Sequence, residues 1–315
     1  MSESTIDLVY IASIGRSGTT LFETMLGAHS QIETSGELHL WPHEILQGGM
    51  RPCGSGLYVD ECPFWTEMRS RVDPLKQPEP RIHHFREEHD AGQTLRAGRL
   101  RDFINRPVSS TVTQKIDTYG QNNAEIFSTF QKLIEERTGS GPAWIVDASK
   151  DPYRLLWLIR SGYFNVKVFH MVKNPRSFAY SVTDNWIEKD GVLSDLKRLY
   201  YTARQAGAWV VRNRLFRLIV QNHVEEGDHM LIRYEDLATR PHDTFRQACR
   251  LIGIDYEEES VENWRSGSRF TIAGNPMRYE DRDIELDERW KRNLPYSSRL
   301  VARSISSVNR SRYGY

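Results

Sequence analysis

Residues 11–37 read IASIGRSGTTLFETMLGAHSQIETSGE. The apolar run Leu8 to Ile14 ends in Gly15-Arg16-Ser17-Gly18-Thr19-Thr20, and Leu21, Phe22, Met25 and Leu26 then recur at helical spacing. This predicts a strand, a tight loop and a helix. The loop lies at the helix N-terminus, where free backbone N–H groups and the helix dipole attract an anion. Gly15 and Gly18 allow the backbone to close around a phosphate. Ser17, Thr19 and Thr20 add hydroxyl donors, and Arg16 adds a fixed positive charge. An ordinary strand-to-helix turn of an α/β protein is the alternative reading. The GxxxxGK[ST] loop of nucleotide hydrolases is absent, since Arg16 precedes the glycine that a lysine would follow. Mg-nucleotide chemistry is therefore disfavoured.

The rest of the chain reads as further strand-turn-helix units. Gln31 to Thr34 is a short apolar-polar strand, followed by Gly36-Glu37-Leu38-His39. Glu37 then falls at a strand's C-terminal end, the edge that faces the ligand crevice in open α/β sheets. A carboxylate there can take a proton from a hydroxyl or amine; a solvated loop Glu is the other reading, and His39 competes for the role. Ala143 to Asp147 is a second such strand, and Lys150 follows it, with Asp151 and Pro152 positioned to start a helix over Tyr153 to Ile159. Phe164 to Val172 is a third, turning through Lys173-Asn174-Pro175-Arg176 into a helix. Amphipathic helices are expected over Asn122 to Glu136, Leu196 to Gln221 and Asp243 to Ile252, a strand over His229 to Arg233, and a helical tail from Trp290. The fold class is α/β: one domain over residues 1–315, a central parallel sheet flanked by helices.

The segment from Gly15 to Glu37 resembles the 5′-phosphosulfate loop of sulfotransferases that use 3′-phosphoadenosine 5′-phosphosulfate (PAPS): [PG]-[RK]-S-G-T-T-L, a helix, H-[PS]-x-[IV] and G-E. The resemblance implies a P-loop-like sulfotransferase fold and sulfuryl transfer from PAPS to a hydroxyl or amine, leaving 3′-phosphoadenosine 5′-phosphate (PAP). It implies Glu37 as base, and Arg16, Ser17, Gly18, Thr19 and Thr20 around the 5′ group. Asp147 to Pro152 is similar to [DN]-x-[ST]-K-[DN]-P, which implies that Lys150 points at the transferring group. Val172 to Ser181 is similar to V-R-[DN]-P-R-x-x-x-x-S, which puts Lys173 and Ser181 on the 3′-phosphate. Lys173 departs from the family's Arg and loses its bidentate geometry. Tyr234, in a Y-E-x-L pattern, is placed beside the adenine, with a core Tyr as the alternative. Arg278, ahead of the Trp290-Lys291-Arg292-Asn293-Leu294 region, is placed on the 3′-phosphate. The expected cradle is positive at both ends, as a nucleotide with 3′ and 5′ phosphates requires; ATP would leave the 3′ end empty.

Composition narrows the choice. The 315 residues carry no formal net charge, which argues against nucleic-acid binding. No apolar run reaches the ~18 residues of a membrane span, and the start lacks the pattern of a secretory signal. Three cysteines make no disulfide framework, so a reducing cytoplasm is expected. Met50 to Trp65, MRPCGSGLYVDECPFW, reads as a loop with Phe64 and Trp65 packed inward. Cys53 and Cys62 lack the spacing of a zinc site, so no metal is expected and these cysteines carry no assigned chemistry. Residues 50–140, with Pro74 to Pro80, His83-His84, Arg96, Arg99 and Arg101, read as a lid or acceptor-shaping insertion, or else as a solvated helical face. The acceptor is a small molecule, sugar, lipid or peptide. A Mg-ATP-dependent small-molecule kinase and a non-catalytic PAP-binding relative are the competing functions.

Overall fold

The computed structural model describes residues 5–47, 51–72, 110–190, 194–267, 269–279 and 283–315. The strands are β1 (Ile6–Ser13), β2 (Ile32–Gly36), β3 (Trp144–Asp147), β4 (Phe164–Val172) and β5 (His229–Arg233). They form one parallel sheet in the order β2-β3-β1-β4-β5. The main helices are α1 (Thr19–Gly27), α2 (Trp41–Gln47), α3 (Pro63–Arg71), α4 (Ser110–Thr138), α5 (Pro152–Ser161), α6 (Pro175–Asp190), α7 (Asp195–His223), α8 (Tyr234–Thr239), α9 (Pro241–Ile252) and α10 (Tyr296–Arg310).

β1 is the central strand, and its continuous apolar run is explained by burial on both faces. Leu8, Tyr10 and Ala12 enter a core with Trp65 of α3, Phe127 and Phe130 of α4, Leu155 of α5 and Phe216 of α7. Val9 and Ile11 enter a second core with Phe22 and Met25 of α1 and Phe245 of α9. Phe22 and Phe169 meet edge to face at 4.9 Å across that second layer, a geometry worth about 1 kcal/mol beyond area burial. The result is helices on both faces of a parallel sheet, the α/β arrangement expected.

Several boundaries differ from the sequence reading. β2 runs to Gly36, so Glu37 directly follows the strand. The inward packing of Phe64 and Trp65 holds, but they sit in the first turn of α3 rather than in a loop. Cys62 is the N-cap of that helix and Pro63 is its first residue, a start signal passed over in the sequence. α4 begins at Ser110, earlier than the apolar periodicity from Asn122. The tail from Trp290 breaks at Pro295 before α10. Pro74 to Pro80, His83, His84, Arg96, Arg99 and Arg101 lie outside the described residues. Among the described residues no helix is long and apolar enough to cross a membrane.

Candidate active site

The C-terminal ends of β1, β2, β3 and β4 open on one cleft of about 1090 Å³. β1 is fixed where it leaves the sheet: the Ser13 hydroxyl donates to the carbonyl of Met171 on β4 at 2.9 Å. Arg16 and Gly18 both take left-handed backbone angles, φ 71° and 82°, and the chain reverses into α1 within a few residues. No side chain caps α1, so its first N–H groups are left for an external anion. A Cβ on Gly15 would meet nothing within 4 Å and would stand free at the cleft edge. A Cβ on Gly18 would stand 2.4 Å from the ring of Tyr234. Gly18 is therefore required by backbone angle and by contact. The Ser17 hydroxyl is buried and has no hydrogen-bond partner among the described residues. The Thr20 hydroxyl is committed elsewhere, accepting from the Asn275 amide at 3.2 Å.

Glu37 is held from behind by a short segment laid beside the end of β2. Ile272 donates its N–H to the Ser35 carbonyl at 3.0 Å, and its own carbonyl accepts the Glu37 N–H at 2.9 Å. Gly36, at φ 74°, allows this approach; a Cβ there would lie 2.4 Å from the Ile272 oxygen. Lys150 is left-handed as well, at φ 56°, a conformation costing a non-glycine residue on the order of 1 kcal/mol. The turn is held by its neighbours. Asp147 accepts the Ser149 N–H at 2.9 Å. The buried Tyr10 hydroxyl donates to the Asp151 carbonyl at 2.7 Å and accepts its N–H at 3.0 Å. Asp151 caps α5 through the N–H groups of Tyr153 and Arg154. Beneath it, the buried Arg154 guanidinium pairs with Asp147 at 2.6 Å and donates to Tyr119 and Asn123 of α4.

So braced, Lys150 reaches Glu37 at the end of the neighbouring strand, with Nζ 2.7 Å from Oε1. Both line the cleft, and their side chains are 11% and 23% exposed. His39 gives its backbone N–H to the Ser149 hydroxyl at 3.3 Å, and its ring is not part of the cleft wall. Below the pair, Glu23 of α1 is buried, accepts from the Thr34 hydroxyl at 2.8 Å, and is pushed up to about 7 by that burial.

The far end of the cleft is assembled from more distant segments. Lys173, at the end of β4, is buried; its ammonium lies 4.4 Å from the centre of the Tyr234 ring and 3.3 Å from the Ser181 hydroxyl. Burial lowers it to about 8, against the pull of Asp287 and Glu235; Arg289 and Arg16 add like-charge repulsion. Its carbonyl accepts the Trp209 indole N–H at 2.9 Å, which fixes the strand end. Tyr234 donates to the Glu285 carbonyl at 3.3 Å and accepts the Asp287 N–H at 3.2 Å, so residues 285–287 close over its hydroxyl.

The structure thus brings Arg16, Gly18, Thr19, Thr20, Glu37, Lys150, Lys173, Ser181 and Tyr234 to one cleft. It does not bring Arg278 there. That guanidinium is buried, donates to the Thr271 hydroxyl at 2.6 Å and the Pro52 carbonyl at 3.2 Å, and stacks over Tyr279. Ser17 lies under the loop instead of on the cleft wall. Among the described residues no group of three or more His, Cys, Asp or Glu is placed to hold a metal ion.

No protein-family model matches the chain. It is 20% identical over 261 residues to a Caenorhabditis briggsae protein named "Putative protein-tyrosine sulfotransferase", covering 81% of this chain and 69% of that one. Among solved structures it is similar to the sulfotransferase domain of the Synechococcus PCC 7002 olefin synthase, with a TM-score of 0.57 at 20% identity over 100% of this chain and 97% of that one. A sulfotransferase domain from the curacin biosynthetic pathway gives a TM-score of 0.56 at 18% identity over 96% and 99% of the two chains.

The chain has the sulfotransferase fold. In this sulfotransferase fold the cleft also has walls that sequence reasoning passed over. Trp264 and residues 283–289, with Arg292, line it. Arg289 and Arg292 flank Trp290, so the W-[KR]-x-x-L region, downstream of Arg278, carries the signal for this wall. Asp283, Glu285, Asp287 and Glu288 bring carboxylates to the same wall. Arg289 holds one of them, donating to both Asp287 oxygens at 2.9 and 3.0 Å.

Proposed function

We propose that the chain transfers a sulfuryl group from PAPS to an acceptor hydroxyl or amine, releasing PAP. The observation that carries this reading is the Lys150–Glu37 pair at 2.7 Å, facing an uncapped helix start in the same cleft. The residues suit such a nucleotide at both ends. One end has the open edge at Gly15 and the uncapped N–H groups of α1. The other has a buried ammonium whose contacts are a hydroxyl and a ring face. Burying a charge is costly unless it is paired; among the described residues no carboxylate lies within salt-bridge distance of Lys173, and a 3′-phosphate would pair it. PAPS supplies an activated sulfuryl group on a phosphate leaving group.

The chain's residues have separable tasks. Arg16, Thr19 and the first N–H groups of α1 hold the 5′ end. Thr20, tied to Asn275, positions that wall. Lys150 stabilises negative charge that develops on the leaving phosphate oxygen. Glu37 accepts the acceptor's proton. While the two pair with each other, neither is free to act. A sulfuryl donor in the cleft competes for the ammonium and releases the carboxylate, so donor binding readies the base. Lys173, Ser181 and Tyr234 hold the nucleotide's far end, with Arg289 in the position first assigned to Arg278. The related protein's name points to tyrosine in a protein as one acceptor class to try. PAP release from PAPS, measured in chelator with phenolic, sugar and peptide acceptors, tests the reading. Acceptor-dependent release without metal is expected; phosphate transfer that needs Mg-ATP would replace it with a kinase.

A further inference from the structure

The segment Met50 to Trp65 carries two cysteines that the proposed reaction does not use. Both are buried, and they meet. The Ser55 hydroxyl bridges them, 2.9 Å from the Cys53 sulfur and donating to the Cys62 sulfur at 3.7 Å. Cys62 is the N-cap of α3, so its sulfur stands at the helix start, where it makes no cap hydrogen bond. The neighbouring Cys53 thiol and the backbone N–H groups of the helix start lower Cys62 against its burial, and Cys53 is raised in return. The lowered thiol is the nucleophilic one. The turn between them lies at the surface: Ser55, Gly56, Leu57 and Tyr58 are exposed. Cys249 is buried in the core on the other face of the sheet and serves as an internal control.

The turn is also connected to the cleft. Cys53 pairs with Ile272, Gly54 donates its N–H to the Thr271 carbonyl at 2.8 Å, and the Tyr279 hydroxyl donates to the Cys53 carbonyl at 2.8 Å. Ile272 is the residue whose carbonyl holds the Glu37 N–H. We propose that Cys53 and Cys62 form a redox pair that closes to an intramolecular disulfide with a hydroperoxide as oxidant, bracing the segment behind Glu37. The Cys62 thiolate attacks a peroxide oxygen; the O–O bond breaks, leaving a sulfenic acid on Cys62 and hydroxide, which takes up a proton. The Cys53 sulfur then displaces the sulfenic oxygen, which leaves with the Cys53 proton as water. Two thiols and one hydrogen peroxide give one disulfide and two waters. The proposal does not depend on the sulfuryl-transfer reading.

The test uses the full chain, reduced and then exposed to hydrogen peroxide without denaturant. Intact mass, alkylation in denaturant and peptide mapping are read, followed by melting. A loss of about 2 Da is expected, with a Cys53–Cys62 cross-linked peptide, Cys249 still alkylated, and reversal by dithiothreitol. The closed form should melt several degrees higher, since the cross-link constrains the unfolded chain. Cys53→Ser should leave Cys62 as a sulfenic acid trapped by dimedone, while Cys249→Ser should change nothing; the wild-type mass decides if either variant fails to fold. Two thiols still alkylated, oxygen added to one cysteine without cross-linking, or a bridge to Cys249 would overturn the pair. A bridge that leaves the melting temperature unchanged would overturn the bracing role.

Discussion

The two ends of the cleft are built in different ways. At the end formed by residues 15–20, Glu37 and Lys150, backbone geometry does most of the work: two left-handed turns, an uncapped helix and a salt bridge between neighbouring strand ends. At the other end one buried ammonium is surrounded by Ser181, Tyr234 and residues 285–289, which come from three separate stretches of the chain. The first end is equipped to stabilise a reacting group, the second to grip a nucleotide. Changes at the first should therefore lower turnover at saturating donor and leave PAP binding nearly intact. Changes at the second should do the reverse.

The largest effect is expected at the reacting end. Lys150→Ala and Glu37→Gln should each lower turnover ~10²–10³-fold, the usual cost of a transition-state donor or a positioned base. A loss smaller than about tenfold in either variant would remove that residue from the chemistry. Equal losses in turnover and in PAP affinity would erase the distinction between the ends.

Lys173→Ala should weaken PAP roughly ten- to hundredfold, as expected for a lost charge-assisted hydrogen bond. Its pH dependence is more telling. Lys173 sits at about 8 in the unliganded protein. Below that pH it is already charged, and phosphate binding needs no proton at this site. Above it, binding must first restore the proton, so affinity should fall by up to about tenfold per pH unit. Lys173→Arg should remove this alkaline loss, which calorimetric titration with PAP from pH 7 to pH 9.5 would reveal.

Arg289 and Arg278 separate binding from bracing. Arg289→Ala should weaken PAP several-fold with little change in melting. Arg278→Ala should keep PAP affinity and lose about 1–3 kcal/mol of stability, because the Thr271 hydroxyl and Pro52 carbonyl lose a buried donor. The opposite pattern in a paired thermal-shift and PAP titration would return Arg278 to the phosphate.

The smallest effect is expected at Glu23. Its folded-state value is raised from 4.5 to about 7, so the folded protein holds a proton that the unfolded chain releases. Stability contributed by the neutral carboxyl is present below about 4.5 and is lost as pH rises through 7. Glu23→Gln should raise stability by about 1–2 kcal/mol at pH 8 and leave it unchanged at pH 4.5; a rise that is the same at both pH values would mean that the charge is not the cause.

The same contrast explains what could be read before the structure. The reacting end is local: glycines, hydroxyls and the helix start are contiguous from Gly15 to Thr20, and Glu37 and Lys150 each follow a recognisable strand. The distant end is non-local. Lys173, Ser181 and Tyr234 were legible from strand-end positions and the family pattern. The wall of residues 283–289 was not, because irregular backbone with mixed charge has no period to follow. Arg278 shows the same limit: its position in the sequence suggested a phosphate contact, and the fold turns it to Thr271 and Pro52. The start of α3 was available in Cys62-Pro63 but was hidden by the Gly- and Pro-rich run before it. The polar first turns of α4 offer no apolar stripe, so its start was set too late.

The central claim is that this cleft accepts a nucleotide phosphorylated at both ends. The most direct measurement is the melting temperature with PAP in chelator and, separately, with Mg-ATP. At ~100 times its Kd, a ligand adds ~2.7 kcal/mol, a shift easily resolved. Stabilisation by PAP without metal is the predicted result. Stabilisation by Mg-ATP alone would contradict the account.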